Sequence, residues 1–447
     1  MQSSPFSDAG GTVHLHLTAG SPLAEVFLID HEFALVSRAV GELHADVEQG
    51  VYKVKAQVGE ASAERVVILN QNETIDLTDD LRIASPVPLE GTVRTHEFHM
   101  VPAAKASRSV VAGAGGGAQV FLCARRWSAP ERGYDDSTKA PDLSLHHPAG
   151  ATIIDLSDSG RGDRSLQDPI LTATVDVDPG AYLLRWRDDS GVIAEQTVEA
   201  VNGWQTQVFL LDDARHESHQ TISILMGQGG FDWDDPNARI ADDARIALAD
   251  ERRVASQAIT EALFAKFENP MLGLFGAHLM LLTRDDEREA AGTKDGRLRA
   301  PVAFEQGYFD GVVDNLSGLL GPNQPDVVAL ATQSGHRPIT GLEPVTSPPM
   351  LWRSWLLLIE ASNDRPDLLP ADTWRPLLQM VSVRPFLAWS PLDDEERAVE
   401  TWRRSVAPVV RASLAPGEDE DEVMRRLTTS LLAPRSALED LGMVEPA

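Results

Sequence analysis

From residue 12 the chain alternates between apolar and polar positions. Val13, Leu15 and Leu17 fall on one side and His14 and His16 on the other, the period of a strand with one buried face. Residues 24–29 (AEVFLI) predict a second strand. In 47–55 (VEQGVYKVK) a glycine turn feeds another alternating run, and 66–69 and 74–77 add two short strands. The period changes beyond residue 242. Within 254–267, Ile259, Leu263 and Phe267 recur at helical spacing, with Ala258 and Ala262 on the same face. Asn269-Pro270 breaks that helix, and a second one starts at the proline. Residues 271–282 are apolar nearly all round but well short of the roughly twenty a membrane span needs, which predicts a core helix. Gly273, Gly276 and Ala277 give it a flat side that another helix can approach, and His278 lies within the run as a buried, hydrogen-bonded histidine.

The strand pattern occurs twice. Residues 118–123 (AQVFLC) echo 24–29, 177–185 (VDPGAYLLR) echo 47–55, and 192–198 with 206–211 echo the tail. This predicts an internal duplication that pairs Phe27 with Phe121, Gly50 with Gly180 and Tyr52 with Tyr182. The interval from phenylalanine to glycine is much longer in the second copy, which places an insertion at 127–168. Its text is mostly breakers and charges, with only Thr152, Ile153, Ile154 and Leu156 able to pack, so a mobile loop is expected. Arg132, Asp135, Asp136, Arg161, Asp163 and Arg164 make it the candidate regulatory cleavage loop. Residues 83–110, with three prolines, read as a linker with one strand around Val93.

Helices fill the second half. Residues 304–320 set Phe309, Val313, Leu316 and Leu320 on one face before Gly321-Pro322 stops them. Further helices are expected at 326–331, 349–362, 374–380 and 393–410, and a last one ends near Leu432. Trp352, Trp355, Trp374, Trp389 and Trp402 crowd this region. Packing accounts for most of them, and exposed ones would form a candidate interaction surface.

Composition bounds the function classes. The chain has 447 residues, enough for several domains, and its 43% hydrophobic and 24% charged content is that of an ordinary folded protein. A net charge of -29 argues against nucleic acid as a partner, since phosphate contacts need basic surface. One cysteine, Cys123, leaves no internal disulfide, and the start MQSSPFSDAGG has no export-signal pattern, so a cytoplasmic location is expected.

Several motifs carry residue types capable of chemistry. His14 and His16 are spaced to share a metal but have no third ligand nearby in sequence, so solvent-facing side chains are expected. His96-Glu97-Phe98-His99 and His216-Glu217-Ser218-His219 each miss the helical zinc-protease pattern by one residue and read as strand or loop. Asp232, Asp234 and Asp243 fall on calcium-loop positions, but Pro236 and Asn237 spoil the rest. The glycine run 113–117 leads into a strand rather than a helix, which disqualifies it as a phosphate loop. Cys123 reads as a core residue. No catalytic, metal or cofactor residues are assigned.

The glycine followed by tyrosine two residues on, at Gly50/Tyr52 and Gly180/Tyr182, resembles the PEGA-like and carboxypeptidase-regulatory-like β-sandwich modules, which implies accessory, non-catalytic domains. NPMLGLFGAHLMLL (269–282), PDVVAL (325–330) and PPMLWRSW (348–355) are similar to helical domains of bacterial proteins encoded beside caspase-like or trypsin-like proteases in defence systems. That resemblance implies a regulator or target of such a protease. The expected fold is α+β and multidomain: two duplicated antiparallel β-sandwich modules (1–82 and 111–228) joined by a linker (83–110), then an all-α helical domain (229–447). The expected function is that of a non-catalytic scaffold, adaptor or regulatory partner of another protein. Two alternatives are an effector whose apolar helices become membrane-active after cleavage and a hydrolase with an unrecognised site.

Overall fold

The computed structural model describes residues 11–19, 24–58, 61–78, 85–89, 96–108, 117–127, 142–160, 170–187, 191–213, 219–251, 267–292, 304–414 and 419–442. It is an α+β protein, with its sheets mainly in the first half and helices through the second.

Strands β1 (Thr12–Thr18), β2 (Glu25–Ile29), β3 (Leu35–Val40), β4 (Glu42–Glu48), β5 (Gly50–Val58), β6 (Ala61–Leu69) and β7 (Glu73–Asp76) form two sheets, ordered β4-β1-β7 and β3-β2-β5-β6. The sheets share one core. Val13, Leu15 and Leu17 from one meet Val26, Leu28, Val54 and Ala56 from the other, as the alternation in β1 requires.

The next strands are β8 (Ala118–Trp127), β9 (Leu143–His146), β10 (Thr152–Asp155), β11 (Ile170–Val177), β12 (Gly180–Arg187), β13 (Ile193–Ala200), β14 (Gln205–Asp213) and β15 (His219–Gly227). Their orders, β11-β8-β14 and β10-β9-β12-β13, match those of the first seven strand for strand, with β15 added at one edge. The senses match too. The contacts β1–β7 and β8–β14 are parallel, and the corresponding remaining pairs are antiparallel. Gly50 and Gly180 both open a strand, and the hydroxyls of Tyr52 and Tyr182 donate to the carbonyls four residues back, Glu48 O at 2.9 Å and Asp178 O at 2.7 Å.

Four expectations need correction. Phe27 lies on β2 but Phe121 on β8, the counterpart of β1, so the two phenylalanines occupy different strands of different sheets. β8 is buried on both faces and therefore reads as a continuous apolar run like β2, which hid its true counterpart. The supposed insertion is in part sheet. β9, β10 and the short helix α1 at Leu156–Ser159 occupy its middle, and Leu143, Leu145 and Leu156 are fully buried. Residues 83–110 are more than a linker, since Val87 and Leu89 are buried and His96–Ser107 forms helix α2, which brings Ala103 and Ala104 into the core. The helical region is not all-α. Strands β16 (Met380–Val383) and β17 (Phe386–Trp389) form a hairpin that joins the edge of the second module through the pair Glu195↔Trp389.

The helices after β15 are α3 (Pro236–Ala249), α4 (Pro270–Gly292), α5 (Gln306–Leu320), α6 (Pro325–Ala331), α7 (Trp352–Ser362), α8 (Ala371–Trp374), α9 (Glu395–Ser413), α10 (Glu420–Leu431) and α11 (Arg435–Gly442). One continuous core runs from the second module through α4 to α7, and a smaller one joins α9, α10 and α11. The helix expected at 254–267 lies almost wholly outside the described residues.

Gly273 permits the close approach that its sequence context implied. A Cβ there would overlap the Phe267 ring and come within 2.8 Å of the Leu316 side chain, whereas one at Gly311 would meet nothing within 4 Å. Gly273→Ala is therefore expected to cost about 1–3 kcal/mol by overpacking. Gly311→Ala on α5 should stabilise by roughly 0.5–1 kcal/mol through helix propensity. Urea denaturation of both variants checks this, and equal shifts would contradict it.

Candidate functional site

The three apolar stretches of the helical half converge on one buried point. Pro325 starts α6 and sets Asp326 in its first turn, aimed back at the segment entering α7. The Asp326 carboxylate accepts from the backbone amides of Met350 (2.9 Å) and Leu351 (3.0 Å) and from the Gln324 side-chain amide (2.9 Å). The nearby Ser354 hydroxyl, which favours the charged form of this carboxyl, lies 2.9 Å from His278 Nε2 on α4. Gln324 Oε1 accepts from Val327 N and so caps α6. His278 Nδ1 has no hydrogen-bond partner among the described residues.

Burial sets the charges here. Desolvation, helped by nearby Arg353, holds His278 down to about 3, so the imidazole is neutral. Desolvation raises Asp326 despite its three hydrogen bonds. Glu199 on β13 is pushed up to about 8, first by burial and then by the Asp326 charge, so it keeps its proton at neutral pH. Beside it, Glu195 accepts from Arg185 Nε (2.7 Å) and from the Trp389 indole (3.2 Å), which ties the hairpin to β13. A serine, a histidine and an aspartate in contact suggest nucleophilic catalysis, but the order is wrong. The serine stands between the other two, so the histidine is not oriented by the acid. His278, Asp326 and Ser354 are each 0% exposed, and no substrate reaches them in this conformation. The cluster is a structural clamp.

The other expected sites fare differently. Trp355, Trp374 and Trp389 are buried, and Trp352 and Trp402 are half-buried. Trp402 packs 5.5 Å from Trp374, and the Arg384 guanidinium covers Trp352, so the five belong to packing and do not form a surface. Arg132, Asp135, Asp136, Arg161, Asp163 and Arg164 lie outside the described residues, as does His216. His96 and His99 sit on a helix rather than in a strand. Cys123 is fully buried and its thiol is pushed up to about 12, the reverse of an activated nucleophile. His14 and His16 face outward as expected, but β4 sets His44 directly opposite His16.

The exposed apolar residues gather on the first module. Val51, Val66 and Ile68 lie on the outer face of β5 and β6, where Val51 is the cross-strand partner of Ile68 and Lys53 that of Val66. Lys55 and Arg38 extend over the Phe27 ring on the same face. Val66 and Ile68 are each 69% exposed. Sequence reading missed this patch because a valine on a strand looks the same whichever face is covered.

No family model matches the chain, and no curated protein does. Among solved structures, the Bacillus anthracis TIE protein aligns at 11% identity over 45% of this chain and 33% of its own length, with a TM-score of 0.17. The chain thus spans about a third of that protein, and a likeness this slight carries no argument.

The clamp makes two signed predictions for pH. The unfolded chain protonates His278 near 6.5 and the folded one only near 3, so this residue lowers stability as pH falls through that interval. Glu199 acts in the opposite sense. The folded chain keeps a proton that the unfolded chain releases near 4.5, so stability falls as pH rises toward 8. Between pH 6.5 and 8 only the Glu199 effect of the two operates. Glu199→Gln should flatten the decline of the urea midpoint across that window, while His278→Gln should flatten the decline below pH 4.5. An unchanged slope in either variant contradicts its assignment.

Proposed function

We propose that the protein is a non-catalytic adaptor whose first β module docks an extended segment of a protein partner along β6. The single observation that carries this is the difference between two equivalent edges. β13 of the second module is joined by the β16–β17 hairpin, whereas β6 ends its sheet among the described residues, with Val66 and Ile68 exposed beside it. An open, apolar edge strand is a template for strand addition. Lys53 on the neighbouring strand is already paired with Glu64 of β6 at 2.6 Å, so the apolar side chains of Val66 and Ile68 would carry the contact with the occupant.

The two modules are PEGA-like or carboxypeptidase-regulatory-like sandwiches derived by duplication. Support comes from the matching strand orders and the paired tyrosine hydrogen bonds. The role as regulator or target of a caspase-like or trypsin-like protease in a bacterial defence system rests on the resemblance of the three helical stretches. The adaptor reading stands without it. The sealed clamp weighs against the hydrolase alternative. For the membrane-active alternative, no described helix is long and apolar enough to cross a bilayer, and the apolar turns of α4 are already buried.

Photo-crosslinking in the native host tests the proposal. A benzophenone side chain at Val66 should give a discrete protein adduct that disappears when Ile68 is changed to lysine. The same probe at Val409, exposed on α9, should give none. No adduct at residue 66, or equal adducts at both positions, would overturn it.

A further inference from the structure

On the other sheet of the first module, the outward positions of β1 and β4 carry His14, His16, Glu42, His44 and Asp46, with His16 opposite His44 and His14 opposite Asp46 in the antiparallel register. The His16 and His44 rings stack with centroids 4.2 Å apart and planes 8° from parallel. Both turn Nε2 toward one carboxylate oxygen. Glu42 Oε2 lies 3.2 Å from His16 Nε2 and 3.7 Å from His44 Nε2, and the three ligand atoms all lie within 4.8 Å of one another. Neighbouring ligands around a tetrahedral ion with bonds of about 2.0–2.1 Å are about 3.3 Å apart, so these separations bracket the required value. The two rings must turn out of their parallel stack for both Nε2 lone pairs to meet at one ion.

We infer that His16, His44 and Glu42 form a binding site for a first-row divalent cation of the zinc type. Two imidazoles and one carboxylate suit such ions, and they leave the outward position open to water or to a group from a partner. One step along the strands, Asp46 Oδ1 accepts from His14 Nδ1 at 2.9 Å, and the His14 ring lies against His44 at 5.8 Å, which holds that imidazole from its far side. The second module has no such group. In matching register, Phe121 and Thr174 take the places of His16 and His44, and Thr174 Oγ1 donates to Ala106 O of α2 at 3.1 Å. The face that α2 covers in the second module is thus open in the first, and ligand chemistry occupies it. Sequence reading stopped at two histidines because the third and fourth groups come from a strand about thirty residues away, brought alongside only by pairing register.

Calorimetric titration of the full, tag-free chain with zinc chloride at pH 7.5 tests the site. One equivalent should bind. His44→Ala should weaken binding by about tenfold or more, Glu42→Gln should also weaken it, and His31→Ala, on the β2–β3 turn, should not. Cobalt in place of zinc should show the visible absorption of a tetrahedral site in the wild type and lose it in His44→Ala. Absence of binding would overturn the inference. So would one equivalent bound equally well by His44→Ala and Glu42→Gln, because the ion would then lie elsewhere.

Discussion

The carboxylate of Asp326 is the constraint on which the helical half depends. A fully buried acid is costly to place and survives only when its hydrogen bonds are met. Here they are met by the Gln324 side chain at the start of α6 and by two backbone amides in the segment entering α7. The two backbone amides at Met350 and Leu351 belong to the start of a helix, where amides lack intrahelical acceptors, so the acid acts as a cap contributed from a distance. Around this polar centre the apolar faces of α4, α5 and α7 pack, and α4 comes close enough to α5 that a Cβ at Gly273 would press on the Leu316 side chain.

Much of this was legible in the sequence, for identifiable reasons. The Gly-Tyr signature was readable because a fixed turn and a fixed hydrogen bond demand those residues. The core helix at 271–282 was readable because burial on all sides leaves no polar stripe. His278 was expected to be buried and hydrogen-bonded, and its partner, Ser354, lies 76 residues away. β9 was missed because its interior positions include Ser144 and His146, whose polar atoms satisfy one another at 2.9 Å and so disguise a fully buried strand. The β16–β17 hairpin was missed because Trp374, Leu377 and Leu378 extend a helical spacing up to its first residue, where a 3-10 turn ends.

The two β modules share a strand order but differ in what covers them. In the second, α2 packs on the outer side of β11 and the β16–β17 hairpin joins the β13 edge, and β8 is buried on both faces from Ala118 to Arg125. In the first, the corresponding face carries histidines and carboxylates, and the corresponding edge and outer face carry Val51, Val66 and Ile68. Surfaces that one module uses internally are open in the other. That contrast, more than any single residue, favours a role in binding over one in catalysis.

Hydrogen exchange at the Met350 and Leu351 amides tests the clamp most directly. Asparagine at 326 keeps the shape but turns a donor toward one of the two amides, leaving a buried N–H unpaired. In Asp326→Asn these amides, and the start of α7 with them, should exchange at least about tenfold faster while strands of the first module keep their protection. Equal protection in the two proteins would show that packing alone positions the segment, and would contradict the account.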